Sequence, residues 1–335
     1  MARVLVSGGA GYIGSHAVRA LADAGHAVAV LDNLSAGHAA AVPSGVPLVR
    51  ADMHDTSAVE AALREHGVDA VMHFAAWLDV GASVSDPLGY YANNVTGTLS
   101  VLEAMRRAGV SRFIFSSTCA TYGEPTRVPM DETLDQRPIN AYGETKLAVE
   151  RALPHVERAY GIRWMALRYF NAAGAHPDGS IGEDHSPEIH LIPRAIQAAS
   201  GGPGLKVFGE DYPTPDGTCL RDYIHVCDLA DAHVRALAAL ESGAASDAYN
   251  VGTGTPHSVR EVIDTVGRVV GLPVQWEPGP RRPGDPAALY ASSRKLQDAL
   301  GWRPQYADLE TIVRHAWQWH ASHPRGYEET SPGQA

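Results

Sequence analysis

The chain is poor in cysteine, with three among 335 residues. Cys119, Cys219 and Cys227 are too few and too oddly placed for a disulfide framework, so we expect a reducing compartment and a cytoplasmic protein. No run of about eighteen apolar residues occurs, which predicts that nothing spans a membrane. Met1 leads straight into the strand-like residues 3–6, without a signal-peptide pattern.

Positive charge is also scarce, because 27 Lys and Arg face 38 Asp and Glu, for a formal net charge of −11. This balance argues against nucleic acid or an anionic membrane surface as the main partner. A phosphate-bearing ligand remains compatible, since a few placed arginines and a helix N-terminus can bind it. Apolar residues at 45% and charged residues at 19% are ordinary for a globular protein.

Strand-like and helix-like segments alternate through the first half of the chain. The predicted strands are 4–7, 27–32, 47–51, 70–74, 112–117 and 163–168. Helical patterns are predicted between the first two strands as far as residue 24, over 58–65, over 88–108 and from 141 onward. The helix predicted over 88–108 carries an apolar stripe formed by Val95, Leu99, Leu102 and Met105. This alternation predicts an α/β fold with a doubly wound parallel sheet of the Rossmann type.

After about Asn171 glycine and proline become frequent and the alternation is lost. We therefore expect one domain over 1–175, with a segment near 220–254 returning to it. Within that segment, residues 249–252 could rejoin the first sheet. A smaller, irregular and partly interleaved domain is expected over 176–335, closing a cleft.

A glycine-rich turn follows the first predicted strand. Gly8, Gly11 and Gly14 allow a tight turn that brings the N-terminus of the next helix against a pyrophosphate. Asp32 ends the second strand eighteen residues after Gly14, where a carboxylate binds ribose hydroxyls and repels a 2′-phosphate. The pattern predicts NAD rather than NADP, although a plain glycine turn and a loop-capping aspartate remain alternatives. Asp52 and Met53, after the third strand, could contact an adenine edge.

Tyr142 and Lys146 are four residues apart and share one helical face. An ammonium group near the phenol is expected to lower the tyrosine pKa, so that Tyr142 can take a proton from a sugar hydroxyl. Thr118 ends the fifth predicted strand, at the edge where α/β active sites lie, and we favour it over Ser117 as a bridging hydroxyl. A surface pair and a strand-end hydroxyl bonded to backbone are the structural alternatives.

The whole set of motifs resembles the UDP-glucose 4-epimerase family, in order and spacing, over nearly the entire chain. The motifs are SGGAGYIGSH, LDNLSAG, HFAA, YYANNVTGT, FSSTCATYGEP, AYGETKLAVE, LRYFNAAGAHP, HLIP, FGEDYPTPDGTCLRDYIHV and RRPGD. Motifs and resemblance together predict cofactor contacts at Gly8, Gly11, Tyr12, Ile13, Gly14, Asp32, Asn33, Asp52, Met53, Phe74, Ala75, Asn93, Tyr142, Lys146 and Phe170. Predicted substrate contacts are Thr118, Tyr142, Asn171, His190, Leu191, Phe208, Arg221, Arg282, Asp285 and Leu289.

The resemblance also implies a mechanism and an assembly. Thr118 and Tyr142 are the implied catalytic hydroxyls and Lys146 the implied contact to the cofactor ribose. C4 of a UDP-sugar is oxidised transiently, the 4-keto sugar turns about its diphosphate, and hydride returns to the other face. Relatives commonly form homodimers through two helices per subunit, here those around 94–108 and 141–160.

Other functions on the same scaffold stay open. A 4,6-dehydratase or decarboxylase would resemble this chain, but such enzymes carry carboxylates where Cys119 and Ala120 follow Thr118. A non-catalytic NAD-sensing regulator would typically lack the pair Tyr142 and Lys146. UDP-pentose and UDP-uronate 4-epimerases are further alternatives.

Three local features of the sequence bear on NAD retention, on the range of substrates and on metal binding. Well-known relatives carry a lysine near the nicotinamide ribose where this chain has Leu78, which bears on NAD retention. Leu289 stands where some relatives have a tyrosine that narrows the sugar pocket, so N-acetylated UDP-hexosamines are a further hypothetical substrate. The segment 183–190 is rich in Glu, Asp and His but shows no HExxH or paired CxxC spacing, and we predict no metal.

Overall fold

The computed structural model describes residues 1–282 and 285–327. Two residues of the RRPGD motif and the last eight residues of the predicted second domain lie outside the described part. The strands are β1 (Arg3–Ser7), β2 (Ala27–Asp32), β3 (Leu48–Arg50), β4 (Ala70–His73), β5 (Arg112–Thr118), β6 (Arg163–Tyr169), β7 (Asn171–Ala173), β8 (Leu205–Phe208), β9 (Leu220–His225), β10 (Asp247–Val251), β11 (Pro256–Ser258), β12 (Trp276–Gly279) and β13 (Ala288–Leu289).

Helices cover most of the segments between these strands. They are α1 (Tyr12–Asp23), α2 (Thr56–Glu65), α3 (Val80–Ser85), α4 (Pro87–Tyr90), α5 (Gly97–Ala108), α6 (Ala141–Tyr160), α7 (Leu191–Ala199), α8 (Val226–Glu241), α9 (Val259–Val270), α10 (Arg294–Leu300) and α11 (Leu309–Ser322). Short 3₁₀ turns span Ala39–Ala41 and Cys119–Tyr122. Among the described residues, no helix has the combined length and apolar character of a membrane span.

The central sheet has seven strands in the order β10-β6-β5-β4-β1-β2-β3, and every neighbouring pair is parallel. Its inner strands are apolar along their length because helices cover both faces. Helices α1 and α8 contribute buried side chains on one face, and α2, α5 and α6 on the other. The predicted doubly wound α/β fold is confirmed.

The second half is more regular than its glycine and proline content predicts. Strand β9 lies in a small sheet with β7, β11 and β13, while β8 pairs with β12. Helices α7, α9 and α11 share a hydrophobic core beside these sheets. In the segment near 220–254, β10 joins the edge of the central sheet and α8 packs against α1, whereas β9 stays in the small sheet. The domain division at residue 175 stays a prediction.

The helix predicted over 88–108 is confirmed as an unbroken helical stretch, but it is not α-helical throughout. Asp86 caps α4 by accepting a hydrogen bond from the Gly89 N–H, and a π-helical segment, Tyr91–Thr96, joins α4 to α5. Its Asn94 side chain donates to the Trp77 carbonyl and to Thr145 Oγ1. These hydrogen bonds hold the wider turn, and π-helical turns occur frequently at functional sites.

The apolar stripe predicted on this helix is only partly buried. Leu102 and Met105 pack inside the subunit, but Leu99 is 43% exposed. Gly97, Thr98 and Val101 contribute to the buried face instead.

Candidate active site

A cleft of about 880 Å³ lies at the carboxyl ends of the central strands and is closed on its other side by the second half of the chain. Strands β1 and β4 are neighbours whose connections run in opposite directions across the sheet, so the cleft lies at the topological switch point. This is where an α/β sheet of this kind binds ligands.

The glycine turn forms one end of the cleft. Gly8 has φ +77°, and a Cβ there would lie 2.5 Å from the Ala75 nitrogen; a Cβ on Gly14 would lie 2.0 Å from the Gly8 carbonyl oxygen. Gly11 precedes α1, which begins at Tyr12 and carries no acidic residue in its first turn. The tight packing of backbone at these glycines and the uncapped N-terminus of α1 fit the binding of a pyrophosphate.

Asp32 ends β2 on the cleft wall and is 8% exposed. Its carboxylate accepts hydrogen bonds from the Ala10 N–H at 3.0 Å and the Leu34 N–H at 2.8 Å. The group is therefore held in place with further acceptor capacity for ribose hydroxyls. Together with the glycine turn, this geometry fits NAD.

Three predicted cofactor contacts follow β2 and β3: Asn33, and the two predicted adenine contacts Asp52 and Met53. Asn33 and Met53 line the cleft, but Asp52 does not. Asp52 accepts hydrogen bonds from Asn33 Nδ2 at 2.8 Å and from the His54 backbone N–H at 2.9 Å, and the latter bond lowers the pKa of Asp52. The carboxylate thus orients Asn33 rather than facing the ligand space.

The remaining predicted cofactor residues, Phe74, Ala75, Asn93 and Phe170, all line the cleft. Leu78 also lines it, at the position where relatives were expected to carry a lysine, and is 41% exposed. No cation replaces that lysine in the sequence 75–84.

Helix α6 presents the predicted acid–base pair. Asn140 caps the helix by accepting a hydrogen bond from the Gly143 N–H, and Tyr142 and Lys146 project from successive turns onto the cleft. Lys146 Nζ donates to the Ser116 carbonyl at 2.9 Å. Burial lowers the pKa of Lys146 to about 7, although the Glu150 carboxylate acts in the opposite direction.

The pKa of Tyr142 differs from the expectation drawn from the Tyr–Lys spacing. Burial raises the pKa of Tyr142 above its usual range, Tyr169 adds to the increase, and a hydrogen bond with Thr118 opposes it. Lys146 does not reverse the increase in the pKa of Tyr142, because its amine donates to the Ser116 carbonyl and its own pKa is lowered. The phenolate therefore needs a further positive charge in the cleft.

Thr118 and Ser117 end β5 but point in different directions. Thr118 lines the cleft, and its Oγ1 accepts a hydrogen bond from the Ala120 N–H at 3.1 Å, which leaves the hydroxyl proton free to be donated. Ser117 is fully buried and donates to Glu150 below the cleft floor. The geometry favours Thr118.

The far wall carries most of the predicted substrate contacts. Asn171, His190, Arg221, Arg282, Asp285 and Leu289 line it. Arg221 forms an ion pair with Asp285, and the Arg282 guanidinium lies 4.0 Å from the centre of the Phe208 ring. Phe208 itself is outside the cleft lining because Arg282 covers its ring. Leu191 is also outside, since its side chain packs against the core of the second half.

The pair Glu150 and Arg168 was not assigned a role from the sequence, whereas in the 183–190 loop only His190 was predicted to contact the substrate. Glu150 and Arg168 form a buried ion pair at 2.6 Å beneath the site, and Glu150 lies one turn after Lys146 on the same helical face. That i, i+4 spacing was the available signal. In the loop before α7, Glu183, His185 and His190 line the cleft beside Tyr12.

Comparisons with known proteins agree with this architecture. The model of the family described as "NAD dependent epimerase/dehydratase family" matches residues 4–252. The UDP-glucose 4-epimerase of Halalkalibacterium halodurans is 51% identical over 325 residues, covering 97% of both chains. That of Rhizobium leguminosarum bv. trifolii is 52% identical over 319 residues, covering 95% of this chain and 97% of the relative.

Among solved structures, the UDP-glucose 4-epimerase from Brucella ovis in complex with NAD has a TM-score of 0.92 and 50% sequence identity, covering 95% of this chain and 98% of that chain. The chain therefore belongs to the NAD-dependent epimerase/dehydratase family and, within it, to the UDP-glucose 4-epimerase family.

Proposed function

We propose that the protein interconverts UDP-glucose and UDP-galactose by inverting C4 of the sugar. The observation that carries this proposal is that Tyr142 and Thr118 line the same cleft as the glycine turn and two arginines, Arg221 and Arg282. A nucleotide cofactor and a nucleotide sugar would then meet at the two hydroxyls. NAD, when bound, accepts the C4 hydride, returns it to the opposite face, and adds positive charge beside Tyr142.

The protein's own groups manage the proton and the position of the sugar. Tyr142, as phenolate, takes the proton of the C4 hydroxyl, and Thr118 donates a hydrogen bond to the same oxygen as the carbonyl forms. When hydride returns, Tyr142 gives the proton back, so the residue is regenerated. Lys146 would contact the ribose of the cofactor, and the positive charge that favours the phenolate would come mainly from the bound nicotinamide.

Inversion requires that the sugar turns while the rest of the substrate stays bound. Arg221 and Arg282 line the same cleft as Tyr142, and guanidinium groups can bind the diphosphate in bidentate fashion. Asp285 holds Arg221 in place through their ion pair and can accept from the uridine ribose. Binding energy is thereby concentrated on UDP, which leaves the hexose free to rotate.

A coupled assay tests the activity directly. UDP-galactose is supplied with NAD, and UDP-glucose is measured with a UDP-glucose-specific dehydrogenase. Appearance of UDP-glucose supports the proposal. A 4-keto-6-deoxy product would instead indicate a 4,6-dehydratase, which the geometry disfavours because Cys119 and Ala120 supply no carboxylate beside Thr118. No turnover of UDP-hexoses, with turnover of UDP-pentoses or UDP-uronates, would move the proposal to those substrates.

A second substrate class is favoured by one observation, the half-buried Leu289 on the cleft wall. A leucine occupies less space than a tyrosine and leaves room for an N-acetyl group, so we propose that UDP-N-acetylgalactosamine is also accepted. Wild type should turn over this substrate, and Leu289→Tyr should lose that activity while retaining turnover of UDP-galactose. Equal rates of the two proteins on the acetylated substrate would contradict the proposal.

We also propose a cytoplasmic homodimer formed through α5 and α6. Three exposed apolar side chains support a protein contact near these helices: Leu88 at 83% exposure, Leu99 at 43% and Tyr160 at 58%. Cys119, Cys219 and Cys227 are free thiols, in keeping with a reducing compartment. Light scattering should give twice the 35.6 kDa chain mass, and Leu99→Glu should give a monomer.

A further inference from the structure

Four side chains of metal-ligating type meet in the loop between β7 and α7. Glu183, His185, Glu188 and His190 each offer one ligand atom, and these atoms all lie within 4.8 Å of one another. All four ligands come from eight consecutive residues. Their spacing, E-x-H-x-x-E-x-H, matches neither HExxH nor paired CxxC, so it is not recognisable as a common metal motif in the sequence.

Hydrogen bonds among these four side chains do not satisfy them. The Nδ1 of His190 lies 2.7 Å from Glu183 Oε1 and 3.2 Å from Glu188 Oε1, but one N–H serves only one of these oxygens well. Glu183 is 3% exposed. Within the described residues, its Oε1 makes no hydrogen bond of good geometry and is held by ion-pair contacts with His190 Nδ1 at 2.7 Å and His185 Nδ1 at 3.2 Å. A buried carboxylate oxygen without a well-directed hydrogen bond is a favourable position for contact with a cation.

The distances match the edges of a coordination tetrahedron. Ligand atoms about 2.0–2.1 Å from a zinc ion at tetrahedral positions are roughly 3.3 Å from one another. Glu183 Oε1 lies 3.2 Å from His185 Nδ1 and 2.7 Å from His190 Nδ1. Glu188 lies 3.7 Å from His185 Nδ1 through Oε2 and 3.2 Å from His190 Nδ1 through Oε1. Small side-chain shifts would therefore place an ion in contact with both imidazoles and both carboxylates.

We propose that Glu183, His185, Glu188 and His190 bind one divalent transition-metal ion, with Zn²⁺ as the best fit. Imidazole nitrogen combined with carboxylate oxygen suits Zn²⁺, whereas Mg²⁺ prefers oxygen and retained water. Each histidine binds the ion through the Nδ1 lone pair. The ion lies on the cleft wall beside Tyr12, and its positive charge faces the space for anionic nucleotides; it has no part in the transfer of hydride or of the C4 proton.

The test uses the full-length, untagged protein with its cofactor, stripped with a chelator and dialysed. ZnCl₂ is titrated by calorimetry, and metal retained after dialysis is measured by mass spectrometry. We expect one tightly bound Zn²⁺ per chain, no displacement by excess Mg²⁺, and the visible absorption of tetrahedral Co²⁺ after Co²⁺ loading.

Two ligand variants and one control variant test where the ion binds. His185→Gln and Glu188→Gln each remove one ligand and should weaken Zn²⁺ binding by about 100-fold or more. His257→Gln is the matched control, because His257 also pairs with a glutamate, Glu261, at 2.7 Å, but away from the cluster. Circular dichroism checks that each variant is folded. Equal Zn²⁺ binding by His185→Gln, Glu188→Gln and His257→Gln, or none by the wild type, would overturn the proposal.

Discussion

Tyr142 is subject to two opposing effects. Burial disfavours the phenolate and raises the pKa of Tyr142, whereas catalysis requires the phenolate near neutral pH. Lys146 gives limited help, since burial also lowers the pKa of Lys146 to about 7. If Tyr142 is the base, as proposed, the positive charge of a bound nicotinamide would lower the pKa of Tyr142 and favour the phenolate.

Replacing this tyrosine should abolish proton transfer without harming the fold. Tyr142→Phe removes only the hydroxyl, and we expect kcat for UDP-galactose to fall about a thousandfold, within the range for a general base. Tyr160→Phe, at the exposed end of the same helix, is the control. A Tyr142→Phe variant with more than a tenth of wild-type kcat would show that another group takes the proton.

Gly11 allows cofactor binding to be separated from folding. Its φ of −80° suits any residue, and a Cβ there would meet only the Gly8 carbonyl oxygen, at 3.4 Å, while projecting into the cleft. Gly11→Ala should therefore keep the unfolding free energy but lose about tenfold or more in NAD affinity, which is roughly 1.4 kcal/mol.

Calorimetry with NAD and urea denaturation measure the two effects of Gly11→Ala. Gly204→Ala serves as control, because its added Cβ makes an ordinary contact of 3.6 Å with the Gln275 carbonyl oxygen. Unchanged NAD affinity in Gly11→Ala would mean that the pyrophosphate does not lie on this turn.

The sequence places several predicted site residues at the end of a strand or helix, and their roles stay predictions. Asp32, Thr118 and Tyr142 occupy such places, and all three line one cleft. The sequence predicts less well whether a side chain faces the cleft when a neighbouring side chain determines its orientation. Asp52 turns to Asn33, and Phe208 is covered by Arg282, and neither contact can be read from spacing.

At the scale of the element, α6 joins the active site to the core. Tyr142, Lys146 and Glu150 lie on one face at intervals of four residues, and Glu150 pairs with Arg168 of β6. Arg168 also donates to the Tyr122 hydroxyl at 2.9 Å. This buried network fixes the rotation of α6 and therefore the direction of the catalytic side chains.

Removing the charge of Glu150 should leave Arg168 buried and unpaired. Glu150→Gln keeps the shape of the side chain, yet we expect a loss of roughly 3–5 kcal/mol in unfolding free energy. Urea denaturation measures it, with Glu157→Gln on the same helix as control. A loss no larger than that of the control would contradict the structural role of the pair.

The sequence predicts the buried strands of the central sheet better than the π-helical segment and the small sheets. Strands β1, β2, β4, β5 and β6 were predicted to within a residue or so at each end because buried parallel strands are continuous apolar runs. The π-helical segment Tyr91–Thr96 was missed, since it depends on Asn94 bonding to distant Trp77 and Thr145. Small sheets in the second half were missed for the same reason: their strands pair across long separations.

At the scale of the whole molecule, several histidines are buried in uncharged form between the sheet and its helices. Burial lowers the pKa of His16 and His233 to about 4 and that of His73 to about 3. Their ordinary pKa is about 6.5, so between pH 6.5 and about 4 the unfolded chain binds more protons than the folded chain. Each such histidine therefore reduces stability progressively as pH falls through this window.

His233→Phe tests how much a buried neutral histidine contributes to the pH dependence of stability. A phenyl ring can take the place of the imidazole, whose centre lies 4.7 Å from the centre of the Phe74 ring. Between pH 7 and pH 5, wild type should lose about 2 kcal/mol more unfolding free energy than the variant. The exposed His155→Gln is the control and should follow wild type. Parallel pH curves for wild type and His233→Phe would refute the assignment.

Proton NMR of the enzyme with UDP-galactose and NAD in D₂O tests whether C4 is inverted by return of the same hydride. Hydride that leaves C4 and returns to it never exchanges with solvent. We predict conversion of the anomeric signal to that of UDP-glucose, with full proton content at C4 of the product. Deuterium at C4, a dehydrated product, or no conversion would contradict it.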